Sequence, residues 1–456
     1  MSEPANTVSS RREFLKTSGK FAAASALAGV AIPHVHAADS QTINIALVGC
    51  GGRGSGAVGN ALSTKGGPIK LVAMADVFEH KLKNSFDTLK RTFAGKVDVP
   101  EGQKFLGFDG YKHAIDCLQP GDVAIFATPP AFRWVHFTYA IQKGVNVFME
   151  KPVTVDGPTS RRMFNLAEEA DKKKMKVGVG LMVRHCRARR ELYDRIRNGE
   201  IGEIILMRGY RMHGPVASAF SKPRPKDITD LMYQIQRFHS FIWASGGLFS
   251  DYYIHGIDEC CWMKDSWPVE AHALGGRHFR GENIDQNFDT YSVEYTFADG
   301  AKFFFNGRTI SGCHDEFSTT AHGAKGTAII SKSHHTPGHC ATFKGQKVAS
   351  ENMEWHARQP EANPYDLEWE DLLDAIRNDK PYNEVRRGVT ASLVTSMGRM
   401  AAHTGQVVTY EDMLNNDHEF APHLEKLTYK SDPPVKPDAN GKYPVPMPGI
   451  NTKKEY

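Results

Sequence analysis

The chain has 456 residues, too many for one ordinary domain, so its length predicts two or three domains. Hydrophobic residues make up 41% and charged residues 24%, which is ordinary for a soluble globular protein. The formal net charge is only +4, from 56 basic and 52 acidic side chains, and no long basic run occurs, so the charge pattern argues against a nucleic-acid partner.

The N-terminus has the pattern of a targeting signal. Residues 10–16 are SRREFLK, a close match to a twin-arginine export signal, and a mildly apolar run follows at 21–32 before a small-residue cleavage site at 35–37. The apolar run is too short to span a bilayer permanently. We therefore expect residues 1–37 to engage the bacterial twin-arginine machinery and to be absent from a periplasmic or otherwise exported mature protein, which would have no membrane segment. The alternative is an amphipathic helix with a chance Arg-Arg pair.

Strands alternate with helices from residue 43 to residue 180. Short β-branched runs predict strands, and amphipathic patterns such as Arg133–Gln142 and Thr159–Lys173 predict helices between them. The predicted strands are Ile43–Val48, Ile69–Ala75, Asp122–Ala127, Val145–Met149 and Lys176–Gly180. This alternation is typical of an α/β Rossmann domain, a parallel doubly wound sheet with right-handed crossovers.

A glycine-rich turn follows the first predicted strand and precedes a helix. Its residues are Gly49, Cys50, Gly51, Gly52, Arg53 and Gly54. In such a G-x-G-x-x-G turn the first glycine allows the tight turn, the second lets a pyrophosphate approach the backbone, and the third allows close helix packing. Asp76 ends the second strand, where a carboxylate accepts hydrogen bonds from ribose hydroxyls and repels a 2′-phosphate, so NAD is favoured with NADP as the alternative. A glycine turn without a nucleotide remains the competing interpretation.

Two further strand ends carry residues suited to chemistry. Thr128-Pro129 closes the third predicted strand and Glu150-Lys151-Pro152 closes the fourth. Because ligands bind at the carboxyl ends of parallel strands, we expect these residues beside the cofactor. A lysine there would favour a developing alkoxide, although an exposed lysine before a turn proline is the plainer interpretation. His136, on the next helix, is expected to pack rather than to react.

Residues 181–430 have a different character. Tyr291–Phe297 alternates apolar and polar side chains, and Asp299-Gly300 separates it from 302–305, which predicts a hairpin of an antiparallel sheet with one solvated face. The second domain is therefore expected to be α+β, with a large, mostly antiparallel open sheet. We expect a strand from Ile204, a loop-like segment at 213–240, and helices at 365–378 and 385–403. The tail 431–456 is expected to be extended or loosely packed.

One segment of the second domain contains a candidate acid–base pair. If Gly246–Met263 is helical after its initial turn, Asp251 and His255 share one face, and a histidine near a carboxylate is a plausible general acid or base. Asp258 is expected to orient the histidine or to pack. An ordinary helix surface pair is the alternative; a zinc site is disfavoured because a third ligand with suitable spacing is missing, so no metal is expected. Seven cysteines without a CxxC pair do not indicate a disulfide scaffold, and adjacent Cys260 and Cys261 are expected to be core thiols.

Four motifs occur in a fixed order along the chain: the glycine turn, Thr-Pro with a following His, Glu-Lys-Pro, and Gly-Gly-x-x-x-Asp-x-x-x-His-x-x-Asp. In this order they resemble the glucose–fructose oxidoreductase / inositol dehydrogenase / rhizopine-catabolism (Gfo/Idh/MocA) family. The resemblance runs from about residue 43 to 410. The resemblance implies that Lys151 contacts the nicotinamide ribose and substrate, that Asp251 binds substrate hydroxyls and that His255 is the general base. It also implies a site-lining, substrate-binding Arg184, an often cis Pro152, and a homo-oligomer formed through the open sheet face. The residues expected at the cofactor are Gly49, Gly51, Gly52, Arg53, Gly54, Asp76, Thr128, Pro129, Glu150 and Lys151.

The insertion at 213–240 departs from the common core of that family. Basic and aromatic residues in and around it are further pocket candidates, namely Tyr210, Arg211, His213, His239 and Trp243.

These sequence features lead to three candidate functions for the protein. The first is an exported NAD(P)-dependent oxidoreductase that moves a hydride between a tightly bound nicotinamide cofactor and a sugar or polyol. The second is an NAD-dependent glycoside hydrolase or lyase that oxidises its sugar transiently with no net redox change; Lys151 argues against it because those relatives carry a different residue there. The third is a non-catalytic sugar-binding protein with a vestigial nucleotide site.

Overall fold

The structure is a computed structural model that describes residues 41–456, so the predicted export signal at 1–37 lies outside the described residues. Six mutually parallel strands form the first sheet, in the order β3-β2-β1-β4-β5-β6. These strands are β1 (Ile43–Val48), β2 (Ile69–Asp76), β3 (Lys104–Leu106), β4 (Val123–Phe126), β5 (Asn146–Met149) and β6 (Val177–Val179). The predicted Rossmann sheet is confirmed. Only β3, three partly exposed residues at the sheet edge, had no sequence signal.

Helices connect these strands: α1 (Gly52–Ser63), α2 (Glu79–Thr92), α3 (Gly110–Asp116), α4 (Arg133–Lys143) and α5 (Gly157–Lys172). The strand order reverses between β1 and β4, so the chain leaves these two neighbours in opposite directions. A crevice opens at their carboxyl ends, and this is where a doubly wound sheet binds its ligand.

Nine strands form the second sheet, in the order β14-β13-β12-β11-β7-β10-β9-β8-β15. They are β7 (Ile204–His213), β8 (Glu270–Gly276), β9 (Thr290–Thr296), β10 (Lys302–Thr309), β11 (Glu316–Gly323), β12 (Gly326–Lys332), β13 (Ala341–Lys344), β14 (Met353–His356) and β15 (Val408–Thr409). Its neighbouring strands run antiparallel except β7 and β10, which are parallel. The predicted hairpin is β9–β10, with Thr296 opposite Lys302.

The remaining helices are α6 (Arg187–Arg197), α7 (Asp230–Gln236), α8 (Ile242–Ser245), α9 (Gly247–Lys264), α10 (Pro364–Arg377), α11 (Val385–Thr404) and α12 (Tyr410–Asn415). No helix of the described chain is long and apolar enough to cross a membrane. Helices α9 and α11 are almost entirely buried. On α9 the rings of Phe249 and Tyr253 pack against Phe305 of the second sheet, which fixes the helix that carries Asp251 and His255.

Two expectations need correction and a third is met in part. Residues 213–240 are not all loop: Thr229 accepts a hydrogen bond from the Met232 amide and caps α7, whose apolar side chains are buried. Helix α10, assigned by sequence to the second domain, packs into the core of the first sheet, where Trp369 stacks on Phe148 at 4.5 Å. The tail 431–456 lacks regular structure but is not loosely packed throughout, since Glu455 is buried in an ion pair.

Candidate active site

The glycine turn has the geometry that a dinucleotide site requires. Gly49 has φ +98°, and a Cβ at this position would lie 2.7 Å from the Ala127 carbonyl carbon. A Cβ on Gly54 would lie 2.1 Å from the carbonyl oxygen of Gly49, so helix α1 touches the turn directly. A Cβ on Gly51 or Gly52 would meet nothing within 4 Å. The helix N-terminus therefore opens onto free space that suits a pyrophosphate.

A cavity of about 350 Å³ leads from this turn to Asp76 at the end of β2. The Asp76 carboxylate accepts hydrogen bonds from the backbone amides of Cys50 (2.7 Å) and Phe78 (2.9 Å), so it braces both loops. Burial raises the pKa of Asp76, and these backbone hydrogen bonds and Lys81 oppose that rise. Gly49, Gly51, Asp76, Thr128 and Pro129 line this cavity, as their places in the sequence predict. These residues fit a nicotinamide dinucleotide.

Arg133 holds the turn at Thr128-Pro129. Its guanidinium donates to the carbonyl oxygens of Phe126 (3.0 Å) and Thr128 (3.0 Å). His136 lies 3.3 Å from the Thr128 hydroxyl and stacks on Phe132, and burial together with Arg133 lowers its pKa to about 3. His136 is thus neutral at pH 7, and although it packs on Phe132 it also lines the first cavity.

A second cavity, of about 290 Å³, brings Lys151, Asp251 and His255 together. It shares Ala127, Thr128 and Phe238 with the first cavity, so the two adjoin. The Lys151 ammonium donates to the Asp251 carbonyl oxygen (2.6 Å) and lies 3.6 Å from its carboxylate. The peptide bond between Lys151 and Pro152 is cis, in agreement with the expectation for Pro152.

His255 is 7% exposed and lies in this cavity on the same face of α9 as Asp251. Burial, followed by the positive charges of Lys151 and Arg211, holds its pKa well below the usual 6.5. The imidazole is therefore neutral at pH 7 and available to accept a proton. Its Nδ1 has no hydrogen-bond partner in the described chain, and its ring lies 4.7 Å from that of His335.

Glu150 and Arg53 line the second cavity rather than the first. Glu150 is 5% exposed and its carboxylate lies 2.7 Å from Nε of Arg53, whose guanidinium also covers the Tyr365 ring. Both residues were expected at the cofactor. Their ion pair lines the second cavity together with Lys151, itself expected at the nicotinamide ribose, and this cavity adjoins the first.

Arg184 does not line either cavity. Its guanidinium donates two hydrogen bonds of 2.8 Å to the fully buried Asp258 carboxylate. The expectation that Arg184 binds substrate is therefore not met by the geometry, and Asp258 anchors Arg184 instead of orienting His255. Adjacent Cys260 and Cys261 are buried in the core, as expected.

Other cavity residues come from distant segments. Among the insertion candidates, Arg211 and His239 line the second cavity, and His239 Nε2 lies 3.4 Å from the Asp251 carboxylate. Trp243 is fully buried and donates to Gln234, so it belongs to the core. His335 and Tyr365 also line the cavity and had not been singled out. The only local signal was the His334-His335 pair in a loop.

Comparisons with known proteins agree with this arrangement. Residues 43–181 match the model of an oxidoreductase family with an NAD-binding Rossmann fold, and residues 190–329 match the GFO/IDH/MocA C-terminal domain. The chain belongs to the GFO/IDH/MocA oxidoreductase family. The predicted family and its NAD-binding domain are thereby confirmed.

Individual relatives are distant. Inositol 2-dehydrogenase of Corynebacterium glutamicum is 24% identical over 208 residues, which span 45% of this chain and 55% of that protein. The chain thus spans about half the length of this curated relative. The structure of aldose-aldose oxidoreductase from Caulobacter crescentus superposes with a TM-score of 0.62 at 16% identity, covering 81% of this chain and 100% of that one. Scyllo-inositol dehydrogenase from Lactobacillus casei, with bound NAD(H) and scyllo-inositol, superposes with a TM-score of 0.59 at 20% identity, covering 81% and 100%. At identities this low, the structural superpositions show a shared fold alone.

Proposed function

We propose that this protein is an NAD-dependent oxidoreductase that transfers a hydride between the nicotinamide and a hydroxyl-bearing carbon of a sugar or polyol. One observation carries the proposal. The cavity that contains Lys151, Asp251 and His255 adjoins the dinucleotide cavity at Thr128, so an alcohol held by these three side chains lies next to the cofactor.

The division of labour follows from the side chains. NAD supplies the hydride acceptor. Neutral His255 accepts the hydroxyl proton, since its lowered pKa keeps the imidazole unprotonated. The Lys151 ammonium stabilises negative charge that develops on the alcohol oxygen, and Asp251 fixes that ammonium while offering its carboxylate to neighbouring hydroxyls.

Two features support NAD as the cofactor and its tight binding, one for each point. Asp76 presents a carboxylate at the ribose end of the cavity, which disfavours a 2′-phosphate and hence NADP. The segment 424–428 lines the same cavity, and the neighbouring Tyr429 hydroxyl donates to the Val77 carbonyl oxygen (2.9 Å). This segment covers part of the cofactor cavity and slows release.

Heat release of nucleotide from the purified protein tests the proposal. We expect near-stoichiometric NAD by mass spectrometry, and a rise in absorbance at the reduced-nicotinamide band when inositols or aldoses are added. A protein that neither contains nor binds nucleotide would contradict the proposal. Release of free sugar from a glycoside, without net reduction of the cofactor, would favour the hydrolytic alternative.

Export is the second part of the proposal. The SRREFLK segment at 10–16 and the cleavage site at 35–37 support passage of the folded, cofactor-loaded protein through the twin-arginine route to the periplasm. Replacing Arg11 and Arg12 by Lys should leave the protein in the cytoplasm with its signal uncleaved, as judged by fractionation and immunoblotting. Unchanged export of that double variant would remove this part of the proposal.

We further propose a homo-oligomer formed through the second sheet. Ile205 on β7 and Leu274 on β8 are 57% and 78% exposed large apolar residues of this sheet. Light scattering after size exclusion should give a mass above that of one chain. Replacing Leu274 by Glu should lower that mass, whereas a monomeric parent would contradict the proposal.

A further inference from the structure

Arg211 is a cation that lines the second cavity together with Lys151, Asp251 and His255. It belongs to strand β7 and lies opposite Phe317 of β11 in the sheet register. Its guanidinium carbon lies 4.0 Å from the centre of the Phe317 ring, and the same ring contacts His335 edge-on at 4.5 Å. The aromatic ring therefore supports the guanidinium from one side and leaves its other side to the cavity.

The guanidinium of Arg211 has no polar partner in the described chain. Its Nε and Nη1 are buried without a hydrogen bond, and no described carboxylate forms an ion pair with it. Burial lowers the pKa of Arg211, and only nearby tyrosines oppose that effect. Arg211 as a residue is only partly buried, but two of its guanidinium nitrogens are buried and lack acceptors, so such a group calls for a ligand that supplies them.

The other cations of the cavity are already engaged. Arg53 pairs with Glu150, Lys151 pairs with Asp251, and Arg133 donates to backbone carbonyl oxygens. The cavity lining thus has four cationic side chains, including Arg211, against two carboxylates.

The histidines of the lining add no charge of their own. Burial lowers the pKa values of His239, His255 and His335 below the usual 6.5, so all three are neutral at pH 7. The excess positive charge therefore stays on the cationic side chains. A pyrophosphate at Gly51 does not account for Arg211, because Arg211 does not line that cavity.

We propose that the substrate is an acidic sugar or polyol, carrying a carboxylate or phosphate group, and that Arg211 binds this anionic group. The inference rests on the proposed function and narrows its substrate class. An arginine fork matches the paired oxygens of either anion and forms short, charge-assisted hydrogen bonds with them. With the anion held at β7, the reacting hydroxyl of the same molecule lies between Lys151 and His255.

Matched pairs of neutral and acidic ligands test the inference. Calorimetric titration of the nucleotide-loaded protein would compare D-glucose with D-glucuronate and D-galactose with D-galacturonate in the carboxylate arm. The phosphate arm compares each hexose with its 6-phosphate. We expect at least one acid to bind roughly tenfold or more tightly than its neutral partner, and this preference to weaken as salt is added.

The variants locate the effect. Arg211→Met should weaken binding of the preferred acid by about 30-fold or more while leaving the neutral partner nearly unchanged. Arg211→Lys should retain part of the preference because it keeps the charge. The matched control is Arg208→Met, since Arg208 lies on the same strand, is exposed, and bonds to the Tyr210 hydroxyl.

The outcomes separate this inference from the proposed function. If no acid binds more tightly than its neutral partner, or if Arg211→Met leaves the preference intact, the inference is overturned even where neutral sugars are oxidised. Binding of an acid that depends on Arg211 but never reduces the bound nicotinamide would uphold the anion site and overturn the proposed hydride transfer.

Discussion

At the scale of single residues, the second cavity combines a neutral histidine with fixed cations. His255 keeps its proton-accepting form because burial, Lys151 and Arg211 all disfavour the imidazolium. The same lysine is held by the backbone and side chain of Asp251, one helical turn before His255. In the proposed mechanism, acid–base function and positioning are therefore divided between neighbouring side chains.

Replacing His255 by Ala should reduce turnover roughly 100- to 10,000-fold, the usual contribution of a positioned general base. Nucleotide content should not change, because His255 does not line the dinucleotide cavity. Steady-state rates and released nucleotide would be measured together. His272→Ala on the partly exposed surface of β8 is the control. Wild-type turnover by the His255 variant would remove the histidine from the mechanism.

The pH profile should follow the lowered pKa of His255. The base must be neutral to accept a proton, and a lowered pKa shifts its protonation to more acidic solution. We therefore expect kcat/KM for oxidation to remain level as the pH falls from 8 to about 6.5, where an unperturbed histidine would already be half protonated. An acidic limb with a midpoint near or above pH 7 would contradict this assignment.

At the scale of elements, two glycine-rich junctions set the positions of helices α1 and α9. The first sets α1 against the β1 turn through Gly49 and Gly54. At the second junction, Gly246 and Gly247 have φ of +76° and +73°. At the start of α9 the Leu248 amide donates a hydrogen bond to the side-chain oxygen of Asn287. Each junction requires a backbone conformation or a close contact that a side chain would disrupt. Each also precedes residues that line a cavity or begins a helix that carries them.

Gly54→Ala should break the first junction. The new Cβ would lie 2.1 Å from the Gly49 carbonyl oxygen, so helix and turn must move apart. We expect a loss of about 1–3 kcal/mol in the free energy of unfolding, together with loss of bound nucleotide. Gly59→Ala on the same helix meets nothing closer than 3.7 Å and should raise that free energy by up to about 1 kcal/mol. Denaturant unfolding and nucleotide content measure both effects. Equal behaviour of the two variants would refute the contact argument.

At the scale of the whole molecule, Arg399 of α11 joins distant parts of the chain. Its fully buried guanidinium donates to the carbonyl oxygens of Val155 (2.9 Å) and Gly246 (3.0 Å) and to the carboxylate of Glu455. His403 also contacts Glu455, at 2.6 Å. The first domain, the start of α9 and the C-terminal tail therefore meet at one side chain.

Removing the charge of Glu455 should destabilise the protein. Burial alone would raise the pKa of Glu455, but Arg399 and His403 outweigh burial and hold it at about 2. Glu455→Gln leaves Arg399 buried without a counter-charge, so we expect a loss of about 3–5 kcal/mol at pH 7. Glu351→Gln, in an exposed pair with Lys347, should have little effect.

The same ion pair predicts a pH dependence. A carboxylate with a depressed pKa contributes stability above its ordinary pKa of 4.5 and loses that contribution as the pH falls towards 2. The difference in unfolding free energy between the parent and the Glu455 variant should therefore shrink over this window. A difference that does not change between pH 7 and pH 3 would show that the charge of Glu455 is not its source.

The amino-acid sequence by itself determined the features that are local in the chain. The glycine turn, the residues that end β2, β4 and β5, and the Asp251–His255 spacing were all readable, because each depends on a few consecutive residues and on strand or helix period. The parallel α/β sheet of the first domain followed from alternation of such segments, whereas its strand order came from the structure. The tertiary structure alone decided which distant side chains complete the cavity.

Arg211, His335 and Tyr365 lie on different segments and meet only through the register of the second sheet and the return of α10 to the first sheet. Likewise, nothing local to Arg184 shows that Asp258 holds it, or that Glu455 reaches Arg399 across 56 residues. Such contacts depend on how whole elements pack, because burial and pairing are properties of the assembled core and not of sequence neighbours.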